Sequence, residues 1–99
     1  MPLWRSASLP TAGGGLTTVT AIAASPNFAT DGTVFAGTSA GVYRSRDHGR
    51  TFGPWHDDMG ARPVLALSVI GTSNITSGPR VLVFALGVDG TIWRRDSAR

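Results

Sequence analysis

The chain has 99 residues and a formal net charge of +3, made of nine Arg and six Asp with neither Lys nor Glu. That length fits one small domain with limited burial, and the absence of Cys excludes a disulfide framework, a thiolate zinc site and a cysteine nucleophile within it. The charge is too mild to imply nucleic-acid binding, and the longest apolar runs, at 64–70 and 81–86, have strand length, far short of a membrane span.

Without Lys or Glu, good surface helix formers are largely missing, while Gly, Thr, Ser and Val are plentiful, so an all-β fold is expected. The opening Met1-Pro2-Leu3-Trp4-Arg5 has no signal-peptide core. The expectation is a soluble chain with no nucleic-acid or membrane partner and no cofactor. Trp4 to Pro10 reads as a strand that begins on an aromatic. Thr17 to Ala24 is the next strand, ended by Ser25-Pro26-Asn27, because proline has no ladder donor. Asp31-Gly32 restarts the chain into Thr33 to Thr38, and Ser39-Ala40 links tightly to Gly41 to Arg46. Ser45-Arg46-Asp47-His48-Gly49-Arg50-Thr51-Phe52 then forms a turn into a fourth strand, Thr51 to His56. In that turn the Asp47 carboxylate can accept backbone N–H bonds, Gly49 permits a positive φ, and Phe52 is expected to carry an apolar anchor between sheets.

The second half repeats the plan with strands at Val64 to Ile70, Val81 to Leu86 and Thr91 to Arg95, the last pair joined at Asp89-Gly90. Phe35 recurs as Phe84, Ala36 as Ala85, Gly41 as Gly90 and Asp47 as Asp96, all 49 residues apart. Gly71 to Pro79, rich in Ser, Thr, Asn and Gly, reads as a surface loop. The second unit stops within its turn motif at Asp96-Ser97-Ala98-Arg99, and continuing from there to Pro2-Leu3-Trp4 nearly restores it, with Trp4 standing for Phe52. The chain thus reads as a circularly permuted pair of four-stranded units: residues 1–15 an outer strand donated to a neighbouring unit, 16–60 a complete unit, and 61–99 a unit lacking its outer strand.

Tandem units of four short strands point to a β-propeller. Ser45, Asp47, Gly49, Thr51 and Phe52 resemble the Asp-box, the bacterial neuraminidase repeat of sialidase-like and sortilin-like propellers, and residues 25–38 also resemble bacterial members of that group. The second copy is degenerate, with Arg94 for the Ser and Ala98 for the Gly. The resemblance implies that the Asp-box is structural and lies away from any active site. Sialidase-type chemistry would need a Tyr nucleophile supported by Glu. With Tyr43 as the sole Tyr and no Glu, no catalytic residue is assigned, and Tyr43 in mid-strand is read as a packing residue. Adjacent Asp57 and Asp58 would point to opposite faces of an extended chain and make a poor glycosidase pair. His56-Asp57-Asp58 is read as a solvated linker in preference to a metal site. Trp93-Arg94-Arg95 and Trp4-Arg5 are read as core tryptophans with outward arginines in preference to a stacking surface for sugars or single strands.

The expected architecture is therefore two propeller blades per chain, with the N-terminal strand completing the last blade of a neighbouring copy in a head-to-tail ring, three copies favoured and four allowed. First strands would line the central channel. The expected function is a non-enzymatic assembly or binding module for a glycan or protein. The alternatives are a glycoside-hydrolase-like enzyme with a site shared between copies, and a designed or excised fragment with no cellular role.

Overall fold

A computed structural model describes residues 18–74 and 78–97. They form seven strands in two antiparallel sheets. Sheet 1 is a meander of β1 (Val19–Ala24), β2 (Val34–Thr38), β3 (Gly41–Ser45) and β4 (Gly53–Pro54), and sheet 2 is a meander of β5 (Val64–Asn74), β6 (Gly78–Gly87) and β7 (Ile92–Asp96). The all-β expectation agrees with this architecture. The expected outer strand at 1–15, with Trp4 and Arg5, lies outside the described residues.

The element layout departs from the expected one in three places. Gly71 to Pro79 is largely paired strand: β5 runs to Asn74 and β6 starts at Gly78, with Thr72 opposite Arg80 and Asn74 opposite Gly78. An antiparallel ladder already formed over Val64 to Ile70 extends one residue pair at a time, and that cooperative gain outweighs the turn preference of the polar residues. The fourth strand, expected over Thr51 to His56, shrinks to Gly53–Pro54, continued by one bond from the Trp55 N–H to the Val42 carbonyl at 2.8 Å. Pro54 has no N–H to donate, and Thr51 is held in the preceding turn. A helical turn absent from the sequence reading, α1 (Phe28–Asp31), fills the β1–β2 connection and ends at Gly32 with φ of 60°. Its N–H donates to the Phe28 carbonyl at 2.8 Å, and the Asp31 carboxylate accepts from Ser25 Oγ at 2.9 Å and Thr33 N at 3.0 Å.

The first three strands of sheet 1 recur in order as the three strands of sheet 2. Val19 lies opposite Thr38 and Val64 opposite Gly87, and in both sheets a bulge follows at once, before Ala21 and before Ala66. Ile22 pairs with Ala36, which pairs with Tyr43; Leu67 pairs with Ala85, which pairs with Trp93. The offset between units is thus 45 residues in the first strand (Ile22 to Leu67), 49 in the second (Ala36 to Ala85) and 50 in the third (Tyr43 to Trp93). The last increment arises because Ser39-Ala40 is replaced by the longer turn Val88-Asp89-Gly90, closed by the Gly87 N–H on the Thr91 carbonyl at 2.8 Å. Asp96 consequently occupies the strand position of Arg46, one residue away from that of Asp47.

The core lies between the sheets. Phe35, Val42 and Trp55 of the first half meet Val64, Val81, Val83 and Ala85 of the second, joined by Met59 from a 3₁₀ turn at Asp57–Met59. Phe35 is fully buried and its ring centroid lies 5.1 Å from that of Trp55. Burial of each such side chain stabilises the fold by roughly 1.5–3 kcal/mol. The closest approach is at Gly37, where an added Cβ would come within 2.8 Å of Val64 Cγ1. There Thr20 Oγ1 also donates to the Val64 carbonyl. The anchor expected at Phe52 is provided by Trp55 instead: Phe52 is only half-buried and outside this cluster, because Trp55 pairs with Val42 and shares its inward face.

Candidate functional site

Two polar clusters stand out among the described residues: the turn from Ser45 to Thr51, and the seam where β7 meets the end of sheet 1. In the turn, Ser45 is buried at the end of β3, and its Oγ donates to Asp47 Oδ1 at 2.7 Å while accepting from Gly49 N at 2.9 Å. Asp47 Oδ1 also accepts from Arg50 N at 3.1 Å and Thr51 N at 2.9 Å, and Oδ2 accepts from Thr51 Oγ1. These bonds, the Thr51 hydroxyl first, hold the Asp47 carboxyl far below the usual carboxylate range although it faces solvent. His48 and Gly49 have φ of 66° and 85°, which turns both N–H groups inward. His48 N donates to the Gly32 carbonyl at 2.9 Å and its ring meets Phe28 edge-on, so α1 braces this turn.

The structure thus brings Ser45, Asp47, Gly49 and Thr51 into one network and leaves Phe52 beside it. Asp96, the recurrence of Asp47 in sequence, is in β7 opposite Leu82, and its carboxylate binds Arg80 at 2.7 Å. Trp4, the partner expected for it across the chain ends, lies outside the described residues.

At the seam, Arg95 joins the two halves. Its guanidinium reaches Asp57 Oδ2 at 2.6 Å, donates to the Trp55 carbonyl at 2.8 Å and lies 4.1 Å from the Trp55 ring centroid. Arg44 lies 5.1 Å from the same ring, and burial followed by the charges of Arg46 and Arg95 lowers its pKa. Sequence reasoning missed this cluster, since Arg95 and Trp55 are forty residues apart in the chain; the alternating faces of β3 and β7 were the one available signal. Trp93 is half-buried against the core with Arg62 5.6 Å from its ring. A cleft of about 460 Å³ opens here, lined by Trp55, His56, Asp57, Met59, Trp93 and Arg95.

Tyr43 is buried at 3% exposure with His56 edge-on to its ring, the packing position expected of it. His56 Nδ1 lies 3.2 Å from the Val42 carbonyl, which makes Nδ1 the donor. Among the described residues no group of three His, Cys, Asp or Glu side chains could hold a metal ion, and none of the helices is long and apolar enough to cross a membrane. What this arrangement does chemically is fix a turn and clamp two sheets together. No family model matches the chain, and neither the curated proteins nor the solved structures contain a match.

Proposed function

We propose that the chain is a non-enzymatic structural module, a pair of Asp-box propeller blades that associates head to tail with copies of itself to complete a β-propeller. The observation that carries this reading is the repeat of the two sheets with one strand unmatched. Sheet 1 has β4 beside β3, whereas among the described residues no strand lies beside β7, the counterpart of β3. An open strand edge is a template for pairing with another chain. Head-to-tail contact satisfies the edge of each copy in turn and closes into a ring, three copies being the closure we favour and four the other.

A structural role also fits the state of the carboxylates. Asp47 is committed to its own turn, Asp57 to Arg95 and Asp96 to Arg80. Light scattering coupled to size exclusion tests the reading: a mass of three or four times the 10.3 kDa chain is expected, and a monomer across micromolar concentrations refutes it. Removal of Met1 to Pro10 is expected to abolish assembly. Turnover in a screen of chromogenic glycosides would favour the enzyme reading instead.

A further inference from the structure

The repeat relates not only the strands but the faces of the two sheets. The face that sheet 1 turns inward bears Phe35, Gly37 and Val42; their counterparts, Phe84, Leu86 and Ile92, lie on the outward face of sheet 2. The residues that receive sheet 1 within the chain, Val64 and Leu67, have Val19 and Ile22 as counterparts, on the outward side of sheet 1. Exposure divides these pairs sharply. Val42 is 3% exposed but Ile92 is 70%, and Val64 is 1% exposed but Val19 is 47%, with Ile22 at 67%. The same apolar pattern is used once inside the chain and left exposed on the outward face of sheet 2 and along β1, whereas Ala36 and Tyr43, the counterparts of Ala85 and Trp93 farther across the outward side of sheet 1, are buried within the chain. Arrays whose units bury their faces against neighbours show such open apolar surfaces.

We infer that the outward face of sheet 2, around Leu86 and Ile92, docks onto β1 of a second copy, around Val19 and Ile22, in the manner in which sheet 1 packs on β5 within one chain. This rests on the self-association reading and names the surfaces through which it occurs. The occupant is a second copy of this chain because its exposed β1 offers the counterparts of the residues that fill the same place internally. The two surfaces differ, so the contact is heterologous and carries on to a third copy until a ring closes. One departure shapes it. Leu86 stands where Gly37 allows close approach to Val64, and Leu65, 52% exposed, stands where Thr20 donates to the Val64 carbonyl. The contact between copies is therefore wider than the internal one and exchanges a hydrogen bond for apolar side chains.

The test uses Ile22→Asp and Leu86→Asp, each in the full chain, with wild type measured beside them by light scattering. Both substitutions are at exposed positions, and unchanged circular dichroism checks folding; Ile22→Ser and Leu86→Ser replace either variant that fails that check. Each variant alone is expected to be monomeric at concentrations where wild type assembles. An equimolar mixture is expected to yield a species of two chains and none larger, because each variant retains one intact surface. A monomeric wild type overturns the self-association reading and this inference with it. An assembled wild type with either variant still assembled, or a mixture that stays monomeric, overturns this inference alone and leaves self-association standing.

Discussion

Gly37→Ala tests the packing between the sheets most directly. The Cβ it adds would lie 2.8 Å from Val64 Cγ1 and 3.2 Å from Leu67 Cγ, where carbon atoms prefer about 3.5–4.0 Å. Val64 is 1% exposed, so it cannot swing out into solvent, and its β-branched side chain is restricted at χ1. The carbonyl of Val64 is also held by Thr20 Oγ1, which resists a shift of β5. Overpacking of this kind costs about 1–3 kcal/mol, or several degrees in Tm at the roughly 4–8 °C per kcal/mol of a domain this small. Val64→Ala removes the obstructing methyl groups and by itself costs about 2 kcal/mol. Urea unfolding of wild type, both single variants and the double variant, at one chain concentration, completes the cycle. The double variant should be at least about 1 kcal/mol more stable than the sum of the single losses implies. Additive losses, or a Gly37→Ala variant within about 0.5 kcal/mol of wild type, would show that the sheets do not meet at Gly37 as described.

Asp47→Ala should lower Tm by removing the acceptor of four turn donors, and Asp47→Asn should recover only part of the loss, since Asn keeps one carbonyl oxygen but no charge; equal Tm in all three proteins would refute the role assigned to the turn. The folded-state pKa values of Asp47 and Asp89 are depressed, Asp47 chiefly by the Thr51 hydroxyl and Asp89 by the Thr91 N–H. The stability they contribute is present above the ordinary Asp pKa of about 3.9 and is lost as pH falls below it. Thermal scans from pH 6 to pH 2 should show that decline, with a shallower slope in Asp47→Ala. Arg95→Ala should cost about 1–2 kcal/mol through the lost stacking on Trp55 and the lost hydrogen bond to its carbonyl. Both partners of the Arg95–Asp57 ion pair are well exposed, so that pair adds little, and raising the salt to 1 M should leave most of the difference between variant and wild type in place. Trp55 and Trp93 report on the seam, and Arg95→Ala should shift the tryptophan emission to longer wavelength.

Local chemistry was legible in the residues themselves. The Ser45–Thr51 turn could be read because its partners are at most four residues apart, so their spacing nearly dictates their geometry. The strands could be read from apolar runs between turn residues, and the repeat from identities such as Phe35 with Phe84. α1 was missed because it is a single turn of four residues, too short for any helical periodicity, set between Ser25-Pro26-Asn27 and Asp31-Gly32, which read only as strand breaks. Phe52 and Trp55 were exchanged as anchors because three residues separate a turn position from a core position, and only the bond from Trp55 to Val42 decides which ring faces inward.

By itself the sequence determined an all-β chain, a tandem plan and a turn organised around Asp47, since each follows from composition or from contacts a few residues apart. Only the tertiary structure decided the register of the second unit, where a turn one residue longer moves Asp96 out of step with Asp47 and onto Arg80. It also decided which residues join the sheets: Gly37 with Val64 and Arg95 with Trp55 are separated by long stretches of chain. Such pairs depend on strand register and sheet face together, and a shift of one residue in either exchanges the inside for the outside.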